Sequence, residues 1–325
     1  MEECLSKQTS SCIKGIMAVC VLLHHIYLVS NVIYFLPLRM LFQCFGYLAD
    51  AVFLFLSGYG LMLSYIIKSD EYIKSFVKKR ILSIYIFYIF MVVTYFTWDK
   101  VIGINISYVR VFQSLLFGDT IVVYGWFLQA IILLYLAFFV IYKTKRKIGY
   151  VFGVTAIYFI ACIICGLGSW WYVSIFCFPL GMYVAQNKEK ICIFLANRKF
   201  AFLVVSYLAI GVFYAIRKFS FGSFVNTVTV SECLTSFPLV MGMFSTTNII
   251  IGRCKKVVVN AVTKWLGRYS LEIYVIQGLF VTSTIYDLVG SYWLFVFCTF
   301  LAIFILIVPL KYIREYINRK MYEWF

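Results

Sequence analysis

The two histidines of the chain, His24 and His25, lie at one end of an apolar stretch, IKGIMAVCVLLHH, and Lys14 lies at the other end. An ionisable side chain inside an apolar run of membrane length is costly, and it commonly marks function. Histidine exchanges a proton near neutral pH, which suits a general base. The stretch therefore makes His25 the leading candidate for a catalytic residue.

The spacing within this stretch places Lys14 and His25 on one face of a predicted helix. Eleven residues at about 100° each leave the two about 20° apart around the axis and about 16 Å apart along it. His24 points about 100° away and is the weaker candidate. In the alternative interpretation, Lys14 extends to the lipid interface and His25 makes a hydrogen bond within the bundle.

A carboxylate, Asp50, lies in the next apolar stretch, CFGYLADAVFLFLSGYGLMLSY. We expect it about six residues, or about 9 Å, below the outer surface, and His25 about eight residues below the outer end of its own helix. The two are thus placed to meet, with the carboxylate orienting the imidazole; otherwise Asp50 lines a wet vestibule. Deeper in the stretch, Ser57, Gly58 and Gly60 predict close helix packing.

A basic segment, DEYIKSFVKKRILSIYIFY, follows. Its apolar residues at helical spacing predict a helix on the membrane surface; they are Tyr72, Ile73, Phe76 and Val77. Arg80 continues this apolar face and is predicted to point toward the bundle, whereas Lys74, Lys78 and Lys79 point toward water or headgroups. An inward guanidinium favours a role in holding an anionic ligand.

The stretch WLGRYSLEIYVIQ places Arg268 four residues before Glu272, a spacing that allows an ion pair with a structural role. Gln277 and Gln129 are single polar groups in apolar stretches, and we interpret both as hydrogen-bonding groups between helices.

Composition defines the class of protein. The chain is 64% hydrophobic and 13% charged, which lies outside the range of soluble domains. We predict an all-α, polytopic membrane bundle that forms a single domain over residues 1–325. The pair CIIC at 162–165 has no histidine or second cysteine pair nearby, so we predict no metal site.

Apolar runs of about 20 residues predict ten membrane spans. These lie near residues 12–34, 44–67, 81–98, 126–142, 148–167, 170–186, 200–216, 229–251, 265–286 and 291–311. If successive loops lie on opposite sides of the membrane, five cations lie on the outer side, namely Arg39, Lys100, Arg110, Arg217 and Lys218. Most other lysines and arginines then face the cytoplasm with both termini. This distribution accounts for the net charge of +16 without nucleic-acid binding.

These residues resemble the acyltransferase-3 family of bacterial membrane O-acyltransferases. Lys14 and His25 match its signature of a basic residue, ten residues and a histidine. FLFLSGYGL, KKRILSIYIFY, YGWFLQAIILLYL and LGRYSLEIYVIQ resemble its later motifs in order and spacing. Three positions depart from the pattern: Lys14 replaces arginine, Ser83 stands at the second arginine of the cytoplasmic motif, and Gln277 stands where histidine is common.

The resemblance implies a multi-pass protein of the bacterial inner (cytoplasmic) membrane that transfers an acyl group, usually acetyl, from acyl-CoA. The acceptor is a hydroxyl of a cell-envelope glycan or a lipid-linked saccharide. Arg80, Lys14 and Lys79 would hold the phosphates of the coenzyme, and His25 would act as base or acyl carrier. No hydrolase-like domain follows the tenth span, so we expect any final transfer outside to use the membrane domain or a separate periplasmic or extracellular transferase.

Two alternatives stay open. In a transporter or flippase of envelope precursors, the same intramembrane charges would form a substrate or proton path, and broken helices or inverted repeats would favour it. A structural membrane subunit would have lost catalytic activity, which the three departures from the family pattern allow.

Overall fold

The structure is a computed structural model, and it describes residues 5–32, 35–116, 118, 120–216 and 227–324. Within these ranges the chain is helical and has no strand. In chain order the helices are α1 (Lys7–Ser30), α2 (Leu36–Phe76), α3 (Ser83–Val101), α4 (Tyr108–Ser114), α5 (Trp126–Lys143), α6 (Gly149–Ile164), α7 (Cys177–Gln186), α8 (Lys188–Ala215), α9 (Thr227–Val258), α10 (Ala261–Arg268), α11 (Ser270–Ile276), α12 (Ser283–Val289) and α13 (Tyr292–Trp324). A π-helical segment, Val77–Leu82, joins α2 to α3, and 3₁₀ turns cover Ser169–Trp171 and Gln277–Leu279.

Five helical stretches of the described chain are long and apolar enough to cross a membrane. They are Lys7–Ser30, Pro37–Val101, Trp126–Lys143, Thr227–Val258 and Tyr292–Glu323, and shorter apolar helices cover Gly149–Ile164 and Phe200–Ala215. The 65-residue stretch contains two of the predicted spans and is interrupted at Ser69, where φ is 46°. The all-helical membrane class is confirmed. The count of ten spans and the cytoplasmic termini stay predictions, and Arg217 and Lys218 lie outside the described residues.

The stretch 265–286, predicted as one span, is not one helix. It divides into the end of α10, helix α11, the 3₁₀ turn Gln277–Leu279, an extended Thr282 and the start of α12. Gly278 lies at this break in close contact with other elements, because a Cβ there would meet Val123 and the hydroxyl of Tyr95. Apolar composition alone does not reveal such a close approach.

The chain divides into two compact units. The first unit contains Met1–Met17, Gly46–Asp70 and Lys145–Arg268. The second unit contains Ala18–Phe45, Glu71–Thr144 and Tyr269–Phe325. The single-domain organisation stays a prediction.

In the first unit, α2 and α7 cross with their backbones in contact. A Cβ at Gly58 would collide with the carbonyl of Phe178, and a Cβ at Gly181 would collide with the carbonyl of Phe55. Phe55 and Phe178 are fully buried. The close packing predicted at Gly58 is confirmed, whereas the prediction for Gly60 is wrong because a Cβ at that position would have no atom of the described residues within 4 Å.

In the second unit, α13 contacts α3, α11 and α12. Its opposite surface exposes apolar side chains four residues apart, and these are Trp293, Phe297, Leu301 and Ile305. Residues at this spacing lie along one side of a helix. An exposed apolar stripe on a helix of this length is suited to contact with lipid.

Candidate active site

His25 lies in the second unit, on α1, and is 8% exposed. Its imidazole stacks face to face on the ring of Tyr124, with a centroid distance of 3.4 Å and an interplanar angle of 2°. Its Nδ1 atom is buried and has no hydrogen-bond partner among the described residues. Buried polar atoms are nearly always hydrogen-bonded, and an exception is a recognised feature of catalytic groups.

Three residues around this imidazole are joined to one another by hydrogen bonds. The Tyr274 hydroxyl donates to the carbonyl of Tyr124 (3.2 Å), and Gln277 Nε2 donates to the carbonyl of Tyr274 (2.9 Å). The fully buried side chain of Gln277 also approaches the imidazole of His25, without a hydrogen bond of standard geometry. Tyr124, Tyr274 and Gln277 therefore form a continuous support around His25.

The break after α11 exposes backbone carbonyls, and side chains of α3 satisfy them. The hydroxyl of Tyr95 donates to the carbonyl of Val275, and Trp98 Nε1 donates to the carbonyl of Leu279, both at 2.9 Å. A helix end leaves its last carbonyls without intrahelical donors. These two bonds hold the backbone on either side of Gln277, and so fix the amide that lies beside His25.

Gln129 anchors the loop that leads to Tyr124. Its Oε1 atom accepts from the backbone N–H of Gly118 (3.0 Å), and its Nε2 atom donates to the carbonyl of Leu116 and the hydroxyl of Tyr88 (both 2.9 Å). The hydrogen-bonding role predicted for Gln129 is confirmed, although its partners include loop backbone as well as a neighbouring helix.

His24 has a different environment. Its Nδ1 atom lies 2.8 Å from the carbonyl of Phe42. A carbonyl only accepts, so this nitrogen carries the proton. The bond attaches α1 to α2 within the second unit and gives His24 a structural role.

Lys14 and Asp50 both belong to the first unit and are partly exposed. Helix α1 is continuous from Lys7 to Ser30, as the shared face of Lys14 and His25 requires. The pairing of Asp50 with His25 and the contact of Lys14 with a coenzyme stay predictions.

In the basic segment, Ile81 instead of Arg80 continues the buried face. Tyr72, Ile73 and Phe76 are buried as expected, but Arg80 is exposed and Ile81 is buried. The reason is the π-helix: its bonds join residues five apart, so the position that follows Phe76 on the inner face shifts from Arg80 to Ile81. Lys79 is exposed, as predicted.

Although exposed, Arg80 lies among aromatic side chains. Its guanidinium interacts with Tyr72 and lies near Tyr135 and Tyr322. Lys78 Nζ donates to the carbonyl of Tyr322 (3.2 Å) and lies 5.4 Å from the centroid of its ring. π-Helical turns occur frequently at functional sites, and this one presents adjacent cations.

Ser83 stands where the family motif has its second arginine, and it forms a hydrogen bond to another helix. Its hydroxyl donates to Asn318 Oδ1 at 2.7 Å, which attaches the start of α3 to α13. This position therefore contributes a hydrogen bond between helices instead of a cation.

Glu272 forms its ion pair with Arg314 of α13. Arg314 Nε lies 2.7 Å from Glu272 Oε1, and the Glu272 side chain is fully buried. Neither carboxylate oxygen has a hydrogen bond of standard geometry within the described residues. The sequence identified Glu272 but proposed Arg268 as its partner, because spacing along one helix does not reveal a partner from another.

No role was predicted for Tyr124, although it is the first residue of the stretch YGWFLQAIILLYL. The available signal was the dipeptide Tyr124–Gly125 directly before the apolar run of α5, since glycine at that place is typical of a turn. Nothing in the sequence identifies which side chain the turn brings to His25.

The fold and site define a multi-pass helical membrane protein with a supported, buried imidazole. The family model for an acyltransferase domain, acyltransferase-3, matches residues 10–312, so the chain belongs to this family and is a membrane acyltransferase. No curated protein and no solved structure gives a significant match to the chain.

Proposed function

We propose that the protein transfers an acetyl group from acetyl-CoA to a hydroxyl of a cell-envelope glycan or lipid-linked saccharide, in the bacterial cytoplasmic membrane. The observation that carries this proposal is the His25 imidazole, which is buried, stacked on Tyr124 and unpartnered at Nδ1 within the described chain. Such a nitrogen is suited to take a proton from a substrate hydroxyl.

In this mechanism His25 is the general base. The acceptor oxygen attacks the thioester carbonyl carbon while its proton moves to the neutral imidazole. The carbon–sulfur bond then breaks, and the imidazolium returns the proton to the departing thiolate. In a second route the imidazole receives the acyl group first; donor labelled in its acyl group, incubated without acceptor, would then label the protein.

The coenzyme phosphates need cations at the cytoplasmic surface, and we propose that Arg80 and Lys79 supply them. Arginine suits phosphate because its planar fork forms paired hydrogen bonds. The aromatic side chains around Arg80 restrict the guanidinium before the ligand binds. Lys14, in the first unit, remains a separate candidate for the same ligand.

Arg80→Ala is expected to weaken the interaction with acyl-CoA more than Lys74→Ala. A charge-assisted contact contributes about 1.5 to 3 kcal/mol, so the apparent donor affinity should fall by about 10- to 150-fold. Lys74 is the matched control because it is an exposed cation of the same segment but lies before the π-helix. Donor titration of acetyl transfer measures both variants, and equal effects would contradict the assignment.

Incubation of the purified protein with radiolabelled acetyl-CoA and total envelope extract tests the function itself. We expect the label in a saccharide fraction, released by mild base as an ester would be. Retention of all label on acetyl-CoA, with folded protein and every envelope fraction supplied, would contradict the proposal.

A flippase is the second candidate function, and the broken segment at 265–286 favours it. Interrupted helices near a polar side chain are typical of transporter substrate sites, and Gln277 lies in such an interruption. A flippase would move envelope precursors across the membrane of proteoliposomes in the absence of acetyl-CoA. The acyltransferase would modify these precursors, and only when acetyl-CoA is present.

A further inference from the structure

Tyr124 occupies a backbone conformation that tyrosine seldom adopts. The N–H of Gly125 donates to the carbonyl of Val122 (2.7 Å), so residues 122–125 form a tight turn, and Tyr124 is its third residue with φ 66°. This turn position normally takes glycine or asparagine because a Cβ is strained there. Strained residues persist where the surrounding structure fixes them, and they cluster at functional sites.

The surrounding structure does fix this turn. Gln129 holds the loop backbone at Leu116 and Gly118, and the N–H of Ile121 donates to the hydroxyl of Ser114 (2.9 Å). At the other end, the turn needs glycine at position 125, because a Cβ there would lie 2.8 Å from the carbonyl oxygen of Val122. The turn therefore has little freedom, and its one large side chain is directed against His25.

We propose that Tyr124 is a positioning residue that fixes the plane of the His25 imidazole, in which its Nδ1 atom lies, for acyl transfer. This inference rests on the proposed function of His25. The terminal side-chain torsion of a histidine has a broad energy minimum, so the ring plane depends on its contacts. A parallel ring at 3.4 Å restricts that rotation.

The phenol acts here through its flat face. Burial raises the pKa of Tyr124 to about 12, so the ring stays neutral at physiological pH. A neutral aromatic face restricts the imidazole without adding a charge. Other flat side chains should replace it, and an aliphatic side chain of similar size should not.

The experiment compares Tyr124→Phe with Tyr124→Leu in acyl-transfer kinetics. We expect Tyr124→Leu to lower kcat by about 10- to 100-fold, the scale of a misplaced catalytic group, with KM for the donor unchanged. Tyr124→Phe should keep kcat close to the wild-type value. Tyr108→Leu is the matched control because Tyr108 is a tyrosine of the same unit that is 75% exposed and packs against the ring of Phe96.

Two further measurements separate positioning from folding. Tyr124→Gly should relieve the backbone strain yet show the same loss of kcat as Tyr124→Leu. In a His25→Ala background, Tyr124→Leu should have no additional effect, since residues that act through one another are not additive. Wild-type kcat in folded Tyr124→Leu, or equal losses in Tyr124→Leu and Tyr124→Phe, would overturn the inference. Wild-type turnover in His25→Ala would instead overturn the proposed function.

Discussion

His25→Ala is expected to lower the rate of acyl transfer by about 10² to 10⁴-fold, the range for loss of a general base, while the protein remains folded and inserted. Alanine retains the helix of α1 but removes the nitrogen that would accept the proton. Transfer by the wild-type protein should also decline on acidification, because only a neutral imidazole accepts a proton. The measurement is transfer by purified, monodisperse variants at a series of pH values.

His24→Ala is the matched control for this prediction. His24 is the adjacent imidazole, and its bond to the carbonyl of Phe42 gives it a structural contact. Its loss should cost about 1 kcal/mol of stability and leave much of the turnover. Near wild-type turnover in His25→Ala, or a His24→Ala protein as inactive as His25→Ala, would show that the reactive residue has been misassigned.

The sequence predicted what depends on composition and on spacing within one helix. The membrane class follows from the apolar runs, and His25 is a candidate catalytic residue because histidine is scarce in this chain and lies inside such a run. The buried face of Tyr72, Ile73 and Phe76 followed from helical periodicity. These inferences need no knowledge of tertiary contacts.

The rest of the site depends on contacts between elements distant in sequence. Tyr124 and Gln277 approach His25 from two other parts of the chain, and no periodicity encodes that meeting. The buried face continues at Ile81 instead of Arg80 for a local reason, because the backbone there is π-helical and α-helical periodicity does not hold. Gln277 is recognisable in the sequence as a departure from the family pattern, but its nearness to His25 becomes visible only in three dimensions.

Arg314→Ala is expected to destabilise the protein by about 3 to 5 kcal/mol, the range for removal of one partner from a buried ion pair. It would leave the carboxylate of Glu272 fully buried, with its nearest cation, at 2.7 Å, removed. It would also remove the guanidinium that lies 5.7 Å from the ring centroid of Phe87. Denaturant unfolding in detergent micelles measures the change.

The control is an exposed pair on the same helix. Lys320 Nζ lies 2.8 Å from Glu323 Oε2, with both side chains about half exposed, so Lys320→Ala should change stability by about 1 kcal/mol or less. The double replacement of Glu272 and Arg314 by methionine should recover most of the loss, because it removes both charges and retains side-chain volume. A loss in Arg314→Ala no larger than that in Lys320→Ala would mean that the buried carboxylate does not depend on Arg314. If the double variant were no more stable than Arg314→Ala, the contribution of Arg314 would come from its other contacts instead of from the charge of Glu272.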